Sequence, residues 1–382
     1  MNALTKHLKG DKAIWFVAGA LSVISLLSVY STTGSLAFKY KGGNTEAYLV
    51  ERLIFIVLGF VIMYLVHNIR YNYFSKIAKL LLIISIPLLL LTLFMGSRIN
   101  DASRWLTIPG LPVSFQTSDL AKLSLVTYVA SFLANRQQDI KDFKKTFLPI
   151  IIPVALVCML IFPANFSTAA MLFFICVLLM FVAGVRIKHL ALMILTMVIA
   201  GTISILILAN VPGSRVQTWK ARLENFSKGD GGDNYQAEQA KMAIANGYFL
   251  GSGPANNPNK YFLPQSYSDF IFAMIIGEYG IIGGIVVMLL YLILLYRSFR
   301  IAVSTNYGFA ILLSIGLCLL ITVQAFINMA VSVNLFPVTG QPLPLVSMGG
   351  TGTLFTCLTL GMLLSVSRFA SEKKVAPKTE EE

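Results

Sequence analysis

The chain has 382 residues, 56% of them hydrophobic and 12% charged, with a formal net charge of +13. That apolar a composition excludes a soluble globular protein and describes a polytopic membrane protein. The positive charge does not point to nucleic acid, because the basic residues cluster at the ends of apolar runs, as the positive-inside rule requires.

A bilayer-spanning helix needs about 20 apolar residues. Ten segments qualify: 13–33, 50–67, 77–95, 118–135, 147–163, 167–185, 189–210, 267–296, 308–334 and 346–368. The first follows Lys6, Lys9 and Lys12 and is too long for a signal-peptide core, so it reads as a retained helix. The fifth is short and holds Pro149, Pro153 and Pro163. Lysines and arginines in every short loop on one side put both termini in the cytoplasm. The expectation is an all-α membrane protein, one transmembrane domain over 1–370, and a short charged tail over 371–382 that is disordered.

Two polar segments fall on the outer side. Gly96 to Thr117 holds Arg98, Asp101, Arg104, Trp105 and Gln116. The 211–266 loop reads as pieces, since a loop that long is rarely structureless. Val216, Trp219 and Leu223 recur at helical spacing within Ser214 to Phe226, which suits a helix lying in the membrane interface. Ser227 to Asn234 is a turn-rich break, Tyr235 to Asn246 a second short helix, and Gly247 to Pro258 an irregular strip leading to Lys260. Pro264 closes the loop, and Ser266 or Ser268 is placed to cap the next span. Asp269 then stands in its first turn, where the helix dipole favours a carboxylate. Glu278 is roughly 13 Å deeper, on the opposite face and inside the bilayer, where it needs a partner or a use. Capping and ion pairing, or chemistry, both account for these two acids.

The four cysteines, Cys158, Cys176, Cys318 and Cys357, fall in apolar segments without Cys-x-x-Cys spacing and support neither disulfides nor a metal site. Gly251-x-Gly253 lacks a preceding strand and is no dinucleotide loop. His7, His67 and His189 all lie at predicted cytoplasmic ends, so an outward-facing reaction takes its base from a carboxylate: Glu46, Glu51, Asp101, Asp119, Glu224, Asp230, Asp233, Glu238 or Asp269. Asp119 and Lys122 share one helix face, either as a structural ion pair or with Lys122 and nearby arginines holding an anionic headgroup such as a diphosphate. Gln324, Asn328 and Ser332 form a polar stripe suited to interhelical hydrogen bonds. Pro337, Gly340, Pro342 and Pro344 break the chain at the outer surface. Ser347, Gly349, Gly350 and Gly352 then open the last span with little bulk, for close packing or for a substrate tail.

Four of these stretches together resemble the SEDS family (shape, elongation, division and sporulation) of cell-wall polymerases. They are Ser-Arg-Trp-Leu (103–106) with Phe-Gln-Thr-Ser-Asp-Leu-Ala-Lys (115–122); Tyr235-Gln236 through Gly247, Gly251 and Gly253; Leu-Pro-Gln-Ser-Tyr-Ser-Asp-Phe-Ile-Phe-Ala (263–273) with Gly277-Glu278; and Asn328 through Pro337-Val-Thr-Gly-Gln-Pro-Leu-Pro-Leu-Val-Ser-Met-Gly-Gly. The pattern departs at Thr117 (family proline), Asp119 (family glutamate), Asn165 (family aspartate) and after Gly-Glu-Tyr-Gly (277–280), which lacks a second glutamate. The Gly-Gln-Pro-Leu-Pro run looks more like the division branch than the elongation branch.

The resemblance implies a glycosyltransferase of the bacterial cytoplasmic membrane that polymerises lipid II into β-1,4-linked strands, working with a class B penicillin-binding transpeptidase and other division proteins. It implies Asp269 as the catalytic base. As substrate-binding residues it implies Lys122, Asp119, Arg104, Trp105, Gln116, Ser118, Lys260, Glu278, Gln236, Ser347, Gly349 and Gly350; Arg215 is a further cation for the diphosphate. No cofactor is demanded, although Mg or Mn can share the charge neutralisation. Three rival readings stay open: a lipid flippase, an ion-coupled transporter using Glu278 and Lys122 as a relay, and a non-enzymatic division scaffold.

Overall fold

The computed structural model describes residues 9–34, 36–37, 44–99, 102–107, 114–210, 216–228 and 235–375. Its membrane helices are α1 (Lys12–Thr32), α2 (Thr45–His67), α3 (Asn72–Met95), α4 (Thr117–Asn135), α5 (Leu148–Ile161), α6 (Phe166–Val182), α7 (Ile187–Ala209), α10 (Ile271–Val303), α11 (Gly308–Ser332) and α12 (Gly350–Val375). Among the described residues, eight helices are long and apolar enough to cross a membrane, α5 being counted with the π-helical turn Phe143–Phe147 that runs into it. The other two expected spans are also helical. α4 opens on Asp119 and Lys122, and α6 has only 17 residues. Pro149 sits in the first turn of α5, where no N–H is needed.

Capping and side-chain contacts tie both ends of the chain to one end of the bundle. Asp11 accepts the Ala13 N–H at 2.8 Å as N-cap of α1, and its other oxygen takes Arg297 Nε at 2.8 Å. Gly10 rests on the Leu364 carbonyl, and Arg368 Nη2 donates to Asn68 O at 3.2 Å. α2 and α12 approach closely through Gly59 against Cys357 and Gly361 against Met63, the small-residue packing that membrane helices use.

Three departures from the sequence reading matter at the opposite end. The Gly96–Thr117 segment contains a small antiparallel sheet of order β1 (Ser97–Ile99), β2 (Ala102–Thr107), β3 (Ser114–Gln116), with Trp105 paired to Gln116. Strands this short show no period in a sequence.

Second, α10 starts at Ile271, so Asp269 lies just outside the helix and neither Ser266 nor Ser268 caps it. α10 is also two helices. Gly280 (φ 71, ψ −176) divides a buried strut, 271–279, from the long outer-faced segment 281–303. The irregular strip after α9 (Tyr235–Ala245) fills this break: Ser252 N–H donates to Gly277 O at 3.1 Å, Gly253 N–H to Glu278 O at 3.0 Å, and Ile281 N–H to Tyr248 O at 3.1 Å. A kink at membrane depth persists only when such partners satisfy the freed backbone. Gly280→Ala is expected to cost at least about 2 kcal/mol, because that φ, ψ region is open in practice only to glycine and a Cβ would meet the Phe249 carbonyl. A clear fall in the detergent melting temperature checks this.

Third, residues 337–349 do not stay at the surface. They form an irregular strip, with a turn at 344–346, folded back into the bundle, and Gln341, Leu343, Leu345, Val346 and Ser347 are buried. Arg52, fully buried in α2, secures the strip from behind. Its Nη1 donates to Gly349 O at 3.1 Å and Thr353 Oγ1 at 2.6 Å, its Nη2 to Leu345 O, and its Nε to Ser25 Oγ at 2.7 Å. Irregular backbone inside a membrane protein is tolerated where it is buried in protein or lines a cavity, and this strip does both.

Candidate active site beside Asp269

The folded-back strip, the start of α4, the β2–β3 hairpin edge and the residues before α10 enclose a cavity of ≈ 390 Å³. Of the residues singled out from sequence, Asp269, Lys122, Asp119, Trp105, Gln116, Ser347 and Gly349 all line it. Asp269 is half-buried. Its main chain is fixed from two sides. Asn328 Nδ2 donates to Asp269 O at 2.8 Å and to Gln341 O at 2.7 Å, and Ser347 Oγ donates to Ser268 O at 2.6 Å. The Met348 N–H closes onto Tyr267 O at 2.9 Å. Two members of the α11 polar stripe therefore bond the strip, since Gln324 Nε2 likewise donates to Pro342 O at 2.9 Å, and Gln324 also makes the expected interhelical bond by accepting from Lys122 of α4.

Lys122 is nearly buried, 2.8 Å from Asp119 and 3.1 Å from Gln324 Oε1. One carboxylate and one amide oxygen leave the third ammonium hydrogen for a ligand in the cavity. Gly349 borders open space, with no atom within 4 Å of where a Cβ would stand.

Other expected site residues lie elsewhere. Glu278 faces away from the cavity, bonded by Ser31 Oγ and the Ala255 N–H and within the field of Lys260. Lys260 belongs to that second cluster: its Nζ donates to Ala255 O at 2.6 Å and lies 5.0 Å from the Tyr261 ring centroid. Gly350 packs on the Phe55 ring behind the cavity wall. Ser118 accepts from Gln116 Nε2 at 3.0 Å and lines a small crevice with Thr92 and Asn165. Gln236 sits on α9, outside the cavity lining. The side chain of Arg104, and Arg215 altogether, lie outside the described residues.

The structure adds one cation that the sequence reading passed over. Arg222, on α8 (Val216–Lys228), lines the cavity, donates to Val338 O at 2.9 Å and feels the Asp269 carboxylate. Burial draws its pKa down and the Asp269 charge offsets part of that. The signal for it was available. Arg222 is three residues after Trp219, hence on the same helix face. Trp219 packs against Phe162 and Phe166, with ring centroids 5.4 and 5.7 Å away, so this face of α8 turns to the protein, not only to lipid.

A membrane-embedded helical bundle with a cavity lined by Asp119, Asp269, Lys122 and Arg222 defines the class: an integral membrane protein with charged side chains facing an internal cavity. The family model described as cell cycle protein, FtsW/RodA/SpoVE, matches residues 11–372, and the chain belongs to that family. Stage V sporulation protein E of Bacillus subtilis is 30% identical over 370 residues, covering 96% of this chain and 99% of that one. A probable peptidoglycan glycosyltransferase FtsW of Nitrosococcus halophilus is 29% identical over 370 residues, covering 95% and 94%. A solved chain of a peptidoglycan synthase complex shares the fold, with a TM-score of 0.74 at 22% identity over 94% of this chain and 98% of its own.

Proposed function

We propose that this protein polymerises lipid II into β-1,4-linked glycan strands at the outer face of the cytoplasmic membrane, in septal wall synthesis. The observation that carries the reading is that Asp269 lines a cavity also lined by Arg222 and Lys122. The donor's diphosphate sits against these two cations with its isoprenoid in lipid. The acceptor hydroxyl attacks the donor's anomeric carbon from the opposite side. The new C–O bond forms as the bond from that carbon to the diphosphate oxygen breaks, inverting the centre. Asp269 takes the hydroxyl proton, and the polyprenyl diphosphate leaves as an anion stabilised by Lys122 and Arg222. Trp105 and Gln116, paired across the sheet, offer a stacking surface and an amide for the sugars.

The described residues hold no cluster of three or more His, Cys, Asp or Glu that suits a metal ion. The cavity acids are Asp119, already paired with Lys122, and Asp269. A bound Mg or Mn ion would add to the neutralisation of the diphosphate that Lys122 and Arg222 supply. A class B penicillin-binding transpeptidase is the partner this reading implies, because a polymerised strand requires crosslinking.

Purified protein, with and without that partner, is assayed on labelled lipid II in vesicles. Polymer that lysozyme digests supports the reading. Translocation of lipid II without polymer identifies a flippase instead. Arg222→Ala is expected to lower the polymerisation rate about 10- to 100-fold, the worth of one charge-assisted contact. Arg222→Lys recovers part of the loss, because the charge returns without the fork.

A further inference from the structure

The strip that fills the Gly280 kink carries three consecutive large apolar side chains that are mostly exposed: Tyr248, Phe249 and Leu250 are 80%, 72% and 80% exposed. Their depth follows from the helix they are bonded to. Arg297, paired with Asp11, marks the basic end of the bundle. Ile281 stands sixteen residues earlier on the same continuous helix, about 24 Å away at ~1.5 Å per residue. The hydrocarbon core is about 30 Å thick. The Ile281 N–H donates to Tyr248 O at 3.1 Å, so the turn lies at or below the opposite boundary of the hydrocarbon layer. The stem of a snorkelling arginine moves that level by a few ångströms at most.

The surroundings are lipid-facing. Ile281, Ile282 and Ile285 are 44%, 49% and 44% exposed on the segment that starts at the turn. The turn also meets the condition for non-helical backbone at that depth. Gly251 N–H donates to Gly247 O at 2.7 Å, and the next two N–H groups reach the Gly277 and Glu278 carbonyls. Gly251 (φ +87) brings its backbone against the Glu278 carbonyl, where a Cβ has no room.

We propose that the 247–251 turn is a re-entrant lipid anchor: Tyr248, Phe249 and Leu250 insert among the lipids of the leaflet at the Asp269 end and moor the polar loop to the bilayer. The occupant is lipid and not a partner helix, because the three side chains continue the lipid-facing surface of the 281–303 segment at its own depth.

The test uses the full chain in vesicles of phosphatidylethanolamine and phosphatidylglycerol. The native cysteines are all buried, so Phe249→Cys gives one accessible site for a nitroxide label. Power saturation then compares access of oxygen, which partitions into lipid, with that of a water-soluble nickel chelate. Ile285→Cys is the lipid reference and exposed Asn256→Cys the aqueous one. The expected result is an oxygen-to-nickel access ratio at Phe249→Cys at least twofold above that at Asn256→Cys and close to that at Ile285→Cys. A ratio equal to the aqueous reference overturns the anchor. Protection from both reagents also overturns it, since that places protein on the turn. Leu250→Cys gives the same reading if the first variant expresses poorly.

Discussion

Asp269→Asn is expected to abolish glycan polymerisation while the purified protein keeps its fold. The substitution preserves shape and size, and the bonds that fix this segment, from Asn328, Ser347 and Met348, all run to or from main-chain atoms. The substitution leaves those main-chain bonds in place and removes the carboxylate charge. What is lost is the carboxylate proposed to take the sugar's proton, worth about 10²- to 10⁴-fold in rate. Rates on labelled lipid II check the chemistry, and the melting temperature in detergent checks the fold. Binding of lipid II is expected to persist, because Lys122 and Arg222 remain. A variant that still polymerises at more than a tenth of the parental rate removes Asp269 from the mechanism.

Lys122→Met is expected to fail in both respects. It leaves Asp119 nearly buried without its 2.8 Å partner, which costs about 3–5 kcal/mol when a buried pair is broken. It also strips the cavity of a cation facing the leaving diphosphate. The two effects separate in the double variant Asp119→Leu, Lys122→Met. Replacing both members of a buried pair by apolar groups is often neutral for stability. The double variant therefore regains most of the melting temperature but not the polymerisation rate. Recovery of both would make the pair purely structural and leave the diphosphate to Arg222 alone.

Much of the site was legible before any coordinates. Asp119 and Lys122 are linked by local helical geometry, so their spacing places them on one face without tertiary knowledge. The expected spans were legible for the same kind of reason, since the bilayer sets their length and the backbone must be satisfied within each helix. Asp269 was placed one turn too deep, because nothing local distinguishes Ser266 or Ser268 as a cap from the turn that actually precedes Ile271. The family resemblance implies Lys260 and Glu278 among the substrate-binding residues, yet the bonds from Ser31 and to Ala255 hold them in a separate cluster.

The amino-acid sequence by itself determined that this is a bundle of membrane helices, which carboxylates and cations it carries near the polar end, and the family to which it belongs. These rest on composition, on helical periodicity and on contiguous motifs, all properties of neighbouring residues. Only the tertiary structure decided that Arg222 reaches the same cavity as Asp269, that residues 337–349 fold inward under Arg52, and that the strip after α9 seals the break in α10. Each of those depends on hydrogen bonds between segments tens to hundreds of residues apart, formed because polar backbone in a low-dielectric interior must find a partner wherever the fold brings one.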